Sequence, residues 1–325
     1  MPPPAPTSAP HATRKCFIAF VLALLSAGCI APMAAIITAT PNFVNPLAGR
    51  VDMSETTQKV LGVHEQFFVD VGPPEARLSV SVIEPHPELT LNVVSQPKGT
   101  VIVLHGVRAS SFWMLGTAHS IAEAGYRTVL VDLRGHGRSS GEWLTYGPQE
   151  AADVSQVIDA LYSRGLVAGE LGVYGISYGA TAAVHLAGRD RRVNAVVAVA
   201  PFDSMRDEVP HYSRIFSLGL GALIPETTYQ AAIDRAGIVG GFDPDAAAAS
   251  DAVRGAAASI LILHGQEDWL VPPGNGAAIH AASPERNELA LLPGLGHVSI
   301  WFDPSGEVSA RAIEWFDRHL SQPEQ

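Results

Sequence analysis

The stretch Leu171-Gly-Val-Tyr-Gly-Ile-Ser177-Tyr-Gly179 predicts both how the chain folds and where its chemistry lies. It begins as an apolar run typical of a buried strand, and the alanine-rich segment 180–187 that follows is typical of a helix. A Gly-x-Ser-x-Gly pattern between a strand and a helix indicates a sharp turn that holds the serine hydroxyl clear of the sheet. Glycines at 175 and 179 remove the Cβ atoms that would collide at such a turn. Ser177 is therefore a candidate nucleophile.

Composition bounds the class of protein. The chain has 325 residues, of which 47% are apolar and 16% charged, so it is globular and forms either one α/β domain with an insertion or two domains. Its net charge of −11 argues against nucleic acid as a partner and leaves no basic face for anionic lipid. Both cysteines, Cys16 and Cys29, lie in the N-terminal apolar stretch. The rest of the chain therefore offers no disulfide, thiolate metal site or cysteine nucleophile.

Residues 1–40 predict an export signal or a membrane anchor. Arg14 and Lys15 precede an apolar run from Cys16 to Leu25, which is the order of charge and hydrophobicity found in export signals. We therefore expect an exported protein of the periplasm or cell envelope, attached to a membrane in two of three alternatives.

The three alternatives differ in the fate of this signal. The sequence 25–29 resembles a bacterial lipobox that would be lipidated at Cys29, although Leu25 stands one place early and Ser26 occupies the usual leucine position. Cleavage by ordinary signal peptidase near residues 31–35 would release a soluble protein. Retention would leave an anchor, because the apolar character continues to Ala39 and is long enough to span a bilayer.

The remaining chain divides into a lead-in segment, 41–75, and a domain, 76–321. The predicted strands of the domain are 77–84, 89–94, 100–104, 127–131, 171–174, 193–199, 260–263 and 288–292, and its predicted helices are 114–124, 150–164, 180–187 and 305–320. This alternation predicts an α/β fold with a mostly parallel sheet and helices on both faces. The alternating strand 77–84 is expected at the sheet edge, with 89–94 as its hairpin partner. Residues 202–257 interrupt the rhythm with a proline-broken, bulky apolar stretch, which predicts a small helical cap over the C-terminal edge of the sheet.

A serine hydroxyl needs a base to take its proton and a carboxylate to orient that base. His297 follows the last predicted strand in a glycine-rich loop and is the candidate base. Asp268 follows the strand 260–263 and is the preferred acid, with Glu267 and Asp203 as competitors. Loops at the C-terminal ends of parallel strands are where such sheets carry functional groups.

An oxyanion intermediate needs two fixed backbone donors. The amide of Tyr178, which follows the nucleophile, is one candidate, and the amide of Val107 is the other because it follows the strand 100–104. Gly106 would let that backbone approach the serine closely. We expect His105 to brace this loop and Arg108 to be solvated.

The segment Asp132-Leu-Arg134-Gly-His-Gly-Arg-Ser139 is a second glycine-rich loop. It lacks the Lys-Ser/Thr ending of a phosphate-binding P-loop. We interpret Asp132 and Arg134 as an ion pair that locks the loop. The other histidines show no metal-ligand spacing, so neither a metal nor a cofactor is expected.

These motifs together resemble the α/β-hydrolase superfamily over residues 75–320. The supporting sequences, in the order of the superfamily, are His105-Gly106, Asp132-x-Arg134-Gly-x-Gly-x-Ser139, Gly175-x-Ser-x-Gly179, His264-Gly-x-x-Asp268 and Gly296-His297. The resemblance implies the α/β-hydrolase fold and a serine hydrolase related to exported esterases, lipases and peptidases. A serine at 177 speaks against dehalogenase and epoxide hydrolase chemistry, which uses a carboxylate there.

The expected activity is hydrolysis of a carboxylic ester through an acyl-enzyme, with a small-molecule ester or acyl substrate. The expected triad is Ser177, Asp268 and His297, with the amides of Val107 and Tyr178 as the oxyanion hole. Two alternatives remain open: a peptidase or amidase of the same fold, and a non-catalytic binding protein that has kept the fold.

Overall fold

A computed structural model describes residues 28–44, 60–85 and 96–320. Within these residues the strands form one eight-stranded sheet in the order β1-β2-β4-β3-β5-β6-β7-β8. The strands are β1 Glu65–Val71, β2 Ala76–Ile83, β3 Thr100–Leu104, β4 Arg127–Val131, β5 Leu171–Ile176, β6 Val193–Val199, β7 Ser259–Gly265 and β8 Asn287–Leu292. β2 pairs antiparallel with both β1 and β4, and the remaining pairs are parallel. The predicted α/β class and mostly parallel sheet are confirmed.

The edge of the sheet differs from the prediction. β1 is the edge strand, and it lies inside the segment 41–75 that the sequence indicates only as a lead-in. β2 has neighbours on both sides, and Ser79 and Ser81 are buried although they alternate with valines. A buried serine needs a hydrogen-bond partner. Ser81 Oγ accepts one from Gln66 Nε2 at 3.0 Å, and Ser79 N donates to Ser139 Oγ at 2.8 Å, so the alternation reflects pairing with neighbouring segments and not exposure to water. The predicted partner strand 89–94 lies outside the described residues.

Helices cover both faces of this sheet. They are α1 (residues 28–38), α2 Pro41–Val44, α3 Leu115–Glu123, α4 Pro148–Ser163, α5 Tyr178–Arg189, α6 Met205–Phe216, α7 Glu226–Gly240, α8 Ala249–Arg254, α9 Gly274–Ala282, α10 His297–Phe302 and α11 Glu307–His319. α4, α5, α8 and α9 contribute to the core on one face. α3, α10 and α11 contribute to the core on the other face.

The cap consists of α6 and α7, with short 3-10 turns beside them. Its own small core joins Met205, Ile233 and Ala236 to residues of α1. α8 falls within the range predicted for the cap, but it packs against α5: a Cβ built at Gly188 would lie 2.3 Å from Ala252 O. The insertion over the sheet is therefore shorter than predicted at its C-terminal end.

The start of the described chain packs onto the domain. Ala34 is buried against the cap. Thr38 O accepts a hydrogen bond from Leu144 N at 3.0 Å, and Ile37 O accepts one from Tyr146 Oη at 2.8 Å. Residues 1–27 of the predicted signal or anchor, 1–40, lie outside the described residues. None of the helices in the described ranges is both long enough and apolar enough to span a bilayer.

Candidate active site

Ser177 lies in a turn between β5 and α5 with φ 52° and ψ −115°. A positive φ is costly for a residue with a side chain, and it persists only when the surroundings enforce it. Two close approaches do so. A Cβ on Gly175 would lie 2.3 Å from Gly179 O, and one on Gly179 would lie 2.5 Å from both Leu104 O and His105 O. The two glycines therefore allow the turn that the sequence predicts.

Gly179→Ala should destabilise the fold by about 3 kcal/mol or more, because the added methyl group meets backbone that cannot move aside. Chemical denaturation measures this loss. Gly116→Ala is a matched control, since no atom lies within 4 Å of a Cβ built there, and it should change the free energy of unfolding by about 1 kcal/mol or less. Equal stability of the two variants would contradict the close packing at the elbow.

A chain of hydrogen bonds joins the three predicted triad side chains. Ser177 Oγ lies 3.0 Å from His297 Nε2, and His297 Nδ1 lies 2.8 Å from Asp268 Oδ2. The Asp268 side chain is fully buried, whereas His297 keeps 12% of its side chain exposed. Because β5, β7 and β8 are parallel, their C-terminal ends meet at one edge of the sheet and bring these residues together.

The structure distinguishes among the three candidate acids. Besides His297, Asp268 binds backbone through its other oxygen, Oδ1, which accepts hydrogen bonds from the amides of residues 270 and 271 at 3.0 and 2.8 Å. Glu267 is exposed. Asp203 Oδ1 accepts a hydrogen bond from Ser250 N at 2.7 Å and so binds the N-terminal turn of α8 instead of the imidazole.

The loop after β3 lies against the elbow. A Cβ built on Gly106 would lie 3.6 Å from Ser177 Cβ, so the backbone at Gly106, directly before Val107, lies close to the serine. Tyr178 is the first residue of α5, and its amide belongs to the free N-terminal turn of that helix. His105 braces the loop as expected: its Nε2 accepts from Leu133 N at 3.0 Å and its Nδ1 donates to Gly106 O at 2.8 Å. Burial lowers the pKa of His105, which keeps the ring neutral in these two bonds. Arg108 is exposed.

The second glycine-rich loop is not locked by the ion pair that we predict. Arg134 forms two hydrogen bonds of 2.8 Å with Asp153 of α4, and both side chains are buried. Asp132 instead accepts hydrogen bonds from the amides of Ser111 and Arg138 at 2.7 and 2.9 Å. The prediction of an Asp132–Arg134 pair is therefore wrong, because the fold brings a carboxylate from a different helix to the guanidinium.

The cap contributes two side chains that sequence reasoning missed. Tyr212 of α6 lies beside Ser177, and burial raises the pKa of its phenol, so its hydroxyl stays protonated. Glu208, one turn earlier on α6, is 4% exposed, and its Oε1 has no hydrogen-bond partner among the described residues. The only sequence signal for either residue is its place in a helix predicted to cover the sheet edge.

Glu208 makes the stability of the fold depend on pH. Burial, followed by the negative charge of Asp268, raises the pKa of Glu208 from 4.5 to about 8. Between these values the folded state binds more protons than the unfolded state, so the free energy of unfolding falls as pH rises toward 8. Glu208→Gln should flatten this decline, as measured by melting temperature between pH 5 and 9. Glu226→Gln, which changes an exposed carboxylate of the cap, is the control, and an unchanged decline in Glu208→Gln would contradict the assignment.

A buried carboxylate also lies beneath the elbow. Glu150 of α4 is fully buried, and its Oε1 accepts a hydrogen bond from Tyr178 Oη at 2.7 Å. The sequence places Glu150 at the start of a helix but gives no sign of this contact. As for metals, no group of three potential ligands gathers anywhere in residues 28–44, 60–85 and 96–320.

Comparison with known proteins shows the family. The sequence profile of the X-Pro dipeptidyl-peptidase (S15) family matches residues 31–234, which is more than half of the chain. The chain belongs to this family. The matched range, 31–234, contains Ser177 and ends before Asp268 and His297.

Curated relatives match this S15-family chain over shorter stretches. The protein YqkD of Bacillus subtilis is 33% identical over 89 residues, which are 27% of this chain and 29% of that protein. ABHD14B of Rattus norvegicus, for which a protein-lysine deacylase activity is proposed, is 35% identical over 124 residues, 36% of this chain and 56% of that protein. The chain thus spans less than two thirds of the length of either relative.

Solved structures share the fold. An esterase of Pyrococcus furiosus superposes with a TM-score of 0.63 at 22% identity, covering 84% of this chain and 97% of that one. A lidless α/β serine hydrolase of Xanthomonas campestris gives 0.53 at 17% identity, with 80% and 98% covered. This S15-family chain therefore has the α/β-hydrolase fold, and the predicted fold is confirmed.

Proposed function

We propose that this hydrolase cleaves carboxylic esters through an acyl-enzyme formed on Ser177. The observation that carries the proposal is the continuous hydrogen-bonded chain from Ser177 Oγ through the imidazole of His297 to the buried carboxylate of Asp268. A base in contact with a hydroxyl, and oriented by a third group, is the arrangement that activates a serine.

Each group has a defined role in this mechanism. His297 takes the proton from Ser177 as Oγ attacks the acyl carbon, and it then protonates the leaving group. Asp268 stays ionised and holds the imidazole so that Nε2 faces the serine. The amides of Val107 and Tyr178 donate to the oxyanion, and water activated by His297 releases the acid.

A peptidase or amidase is the second candidate function. It is favoured by membership of a family described by X-Pro dipeptidyl-peptidase activity, and by the similarity to ABHD14B, whose proposed deacylation breaks an amide. The same acyl-enzyme chemistry serves both bonds, but an amine is the poorer leaving group and depends more on protonation by His297.

Paired chromogenic substrates distinguish these functions. We expect p-nitrophenyl esters of graded acyl length to be hydrolysed faster than aminoacyl-proline p-nitroanilides. The reverse order would establish the peptidase. A fluorophosphonate probe that leaves the folded protein unlabelled would favour the non-catalytic binding protein instead.

We also propose that the protein is exported and remains attached to the cell envelope through its N-terminus. The basic residues before an apolar run support export, and the exposed position of Cys29 supports access for a lipid-transferring enzyme. Cell fractionation of the parent and of Cys29→Ser tests this proposal. Release of the variant alone would indicate lipidation, whereas parent protein in the cytoplasm would contradict export.

A further inference from the structure

The carboxylate beneath the elbow has four hydrogen-bond donors around it. Glu150 Oε1 accepts from Tyr178 Oη at 2.7 Å and from Thr145 N at 3.1 Å. Oε2 accepts from Thr145 Oγ1 at 2.6 Å and from Gly147 N at 2.9 Å. Each oxygen thus binds one hydroxyl and one backbone N–H, a set that a carboxylate satisfies because both of its oxygens accept.

The Tyr178 side chain is fixed at its ring as well as at its hydroxyl. The rings of His136, Tyr146 and Phe202 lie 5.9, 5.9 and 6.3 Å from it, centroid to centroid. Its hydroxyl also accepts a hydrogen bond from Tyr146 N at 3.3 Å. Only 2% of Tyr178 is exposed. The phenol therefore connects α5 to the loop that precedes α4.

This anchor lies next to the strained residue. Ser177, at φ 52°, is followed directly by Tyr178, whose own amide points out of the first turn of α5. A strained conformation survives only when neighbouring contacts hold both sides of it. On one side Ser177 N donates to Val199 O at 2.8 Å. On the other side the Tyr178 side chain donates to Glu150 of α4.

We propose that Glu150 and the phenol of Tyr178 are positioning residues for the oxyanion hole, in that they hold the Tyr178 amide where charge develops in the transition state. The inference rests on the proposed function, because it assigns work to the same site. An oxyanion donor acts only when it is fixed in advance at hydrogen-bond distance from the charge. The four donors around Glu150 supply that rigidity, because they fix the carboxylate to which the Tyr178 hydroxyl donates.

Tyr178→Phe tests the proposal with the least disturbance, since the ring and its packing remain. Removing an oxyanion donor outright costs about 10²- to 10³-fold in kcat, so loosening one should cost about tenfold. KM should change by about twofold or less. The affinity for an alkyl boronic acid, which forms a tetrahedral adduct on the serine, should fall about tenfold in parallel with kcat. Glu150→Gln should lose more, because an amide NH₂ must then face one of the two backbone N–H donors.

Tyr126→Phe is the matched control, because Tyr126 Oη donates to Asp317 Oδ1 at 2.8 Å in a part-buried site on the other face of the sheet. It should lower the melting temperature and leave kcat and boronate affinity unchanged. A Tyr178→Phe enzyme that behaves like this control would overturn the proposal. Ser177→Ala, measured in the same series, separates the two hypotheses: retained turnover there would overturn the proposed function and this inference with it.

Discussion

Ser177→Ala should reduce turnover by about 10⁴-fold or more on any accepted ester. The variant removes the only atom that can form the acyl-enzyme, whereas the remaining imidazole and amides can still polarise substrate and water. The measurement is kcat/KM on the best p-nitrophenyl ester of the acyl series. The fold should be unaffected, because alanine keeps the Cβ that the turn already accommodates.

The control for this result is Ser163→Ala, which removes an exposed serine hydroxyl from the end of α4 and should retain full activity. A fluorophosphonate should label the parent and Ser163→Ala but not Ser177→Ala. Turnover by Ser177→Ala within about tenfold of the parent would rule out this serine as the nucleophile.

Asp268→Asn should cost about 10⁴-fold in kcat while leaving the fold intact. In the parent, Oδ1 is committed to backbone amides, including that of Val271, and Oδ2 faces His297. Asparagine can keep the first contact only by turning its NH₂ toward the ring. His297 Nδ1 would then have to accept, which places the proton on Nε2 and leaves no base facing Ser177.

Glu267→Gln is the neighbouring control, since this side chain is exposed, and it should keep parental kcat. The pair of variants is measured with the same ester and with circular dichroism to verify folding. Loss of activity in Glu267→Gln, with activity retained in Asp268→Asn, would transfer the role of acid to the adjacent residue.

The sequence predicts the site well where the chemistry is local. The elbow requires glycines within two residues of Ser177, and a parallel sheet brings the loops after successive strands to one edge, so Asp268 and His297 could be proposed from their positions alone. The structure brings these three side chains into hydrogen-bond contact. Strand β4 and strand β6 begin and end where periodicity predicts.

The missed features depend on contacts between distant segments. Glu208 and Tyr212 reach the site only because the cap folds back over the sheet edge, and periodicity does not say which face of a helix turns toward it. Arg134 forms its ion pair with Asp153, on a helix that packs beside its loop. Proximity in sequence to Asp132 therefore does not predict its partner. Burial of β2 depends equally on a loop from elsewhere in the chain.

His297 begins α10 shortly after β8, which is the last strand among the described residues and the outermost strand on its side of the sheet. The base thus follows the nucleophile by 120 residues. During synthesis Ser177 therefore leaves the ribosome well before His297, the proposed base. Under the proposed mechanism, a chain that lacks the C-terminal strand therefore lacks its base, and acyl transfer to Ser177 begins only once β8 has joined the sheet.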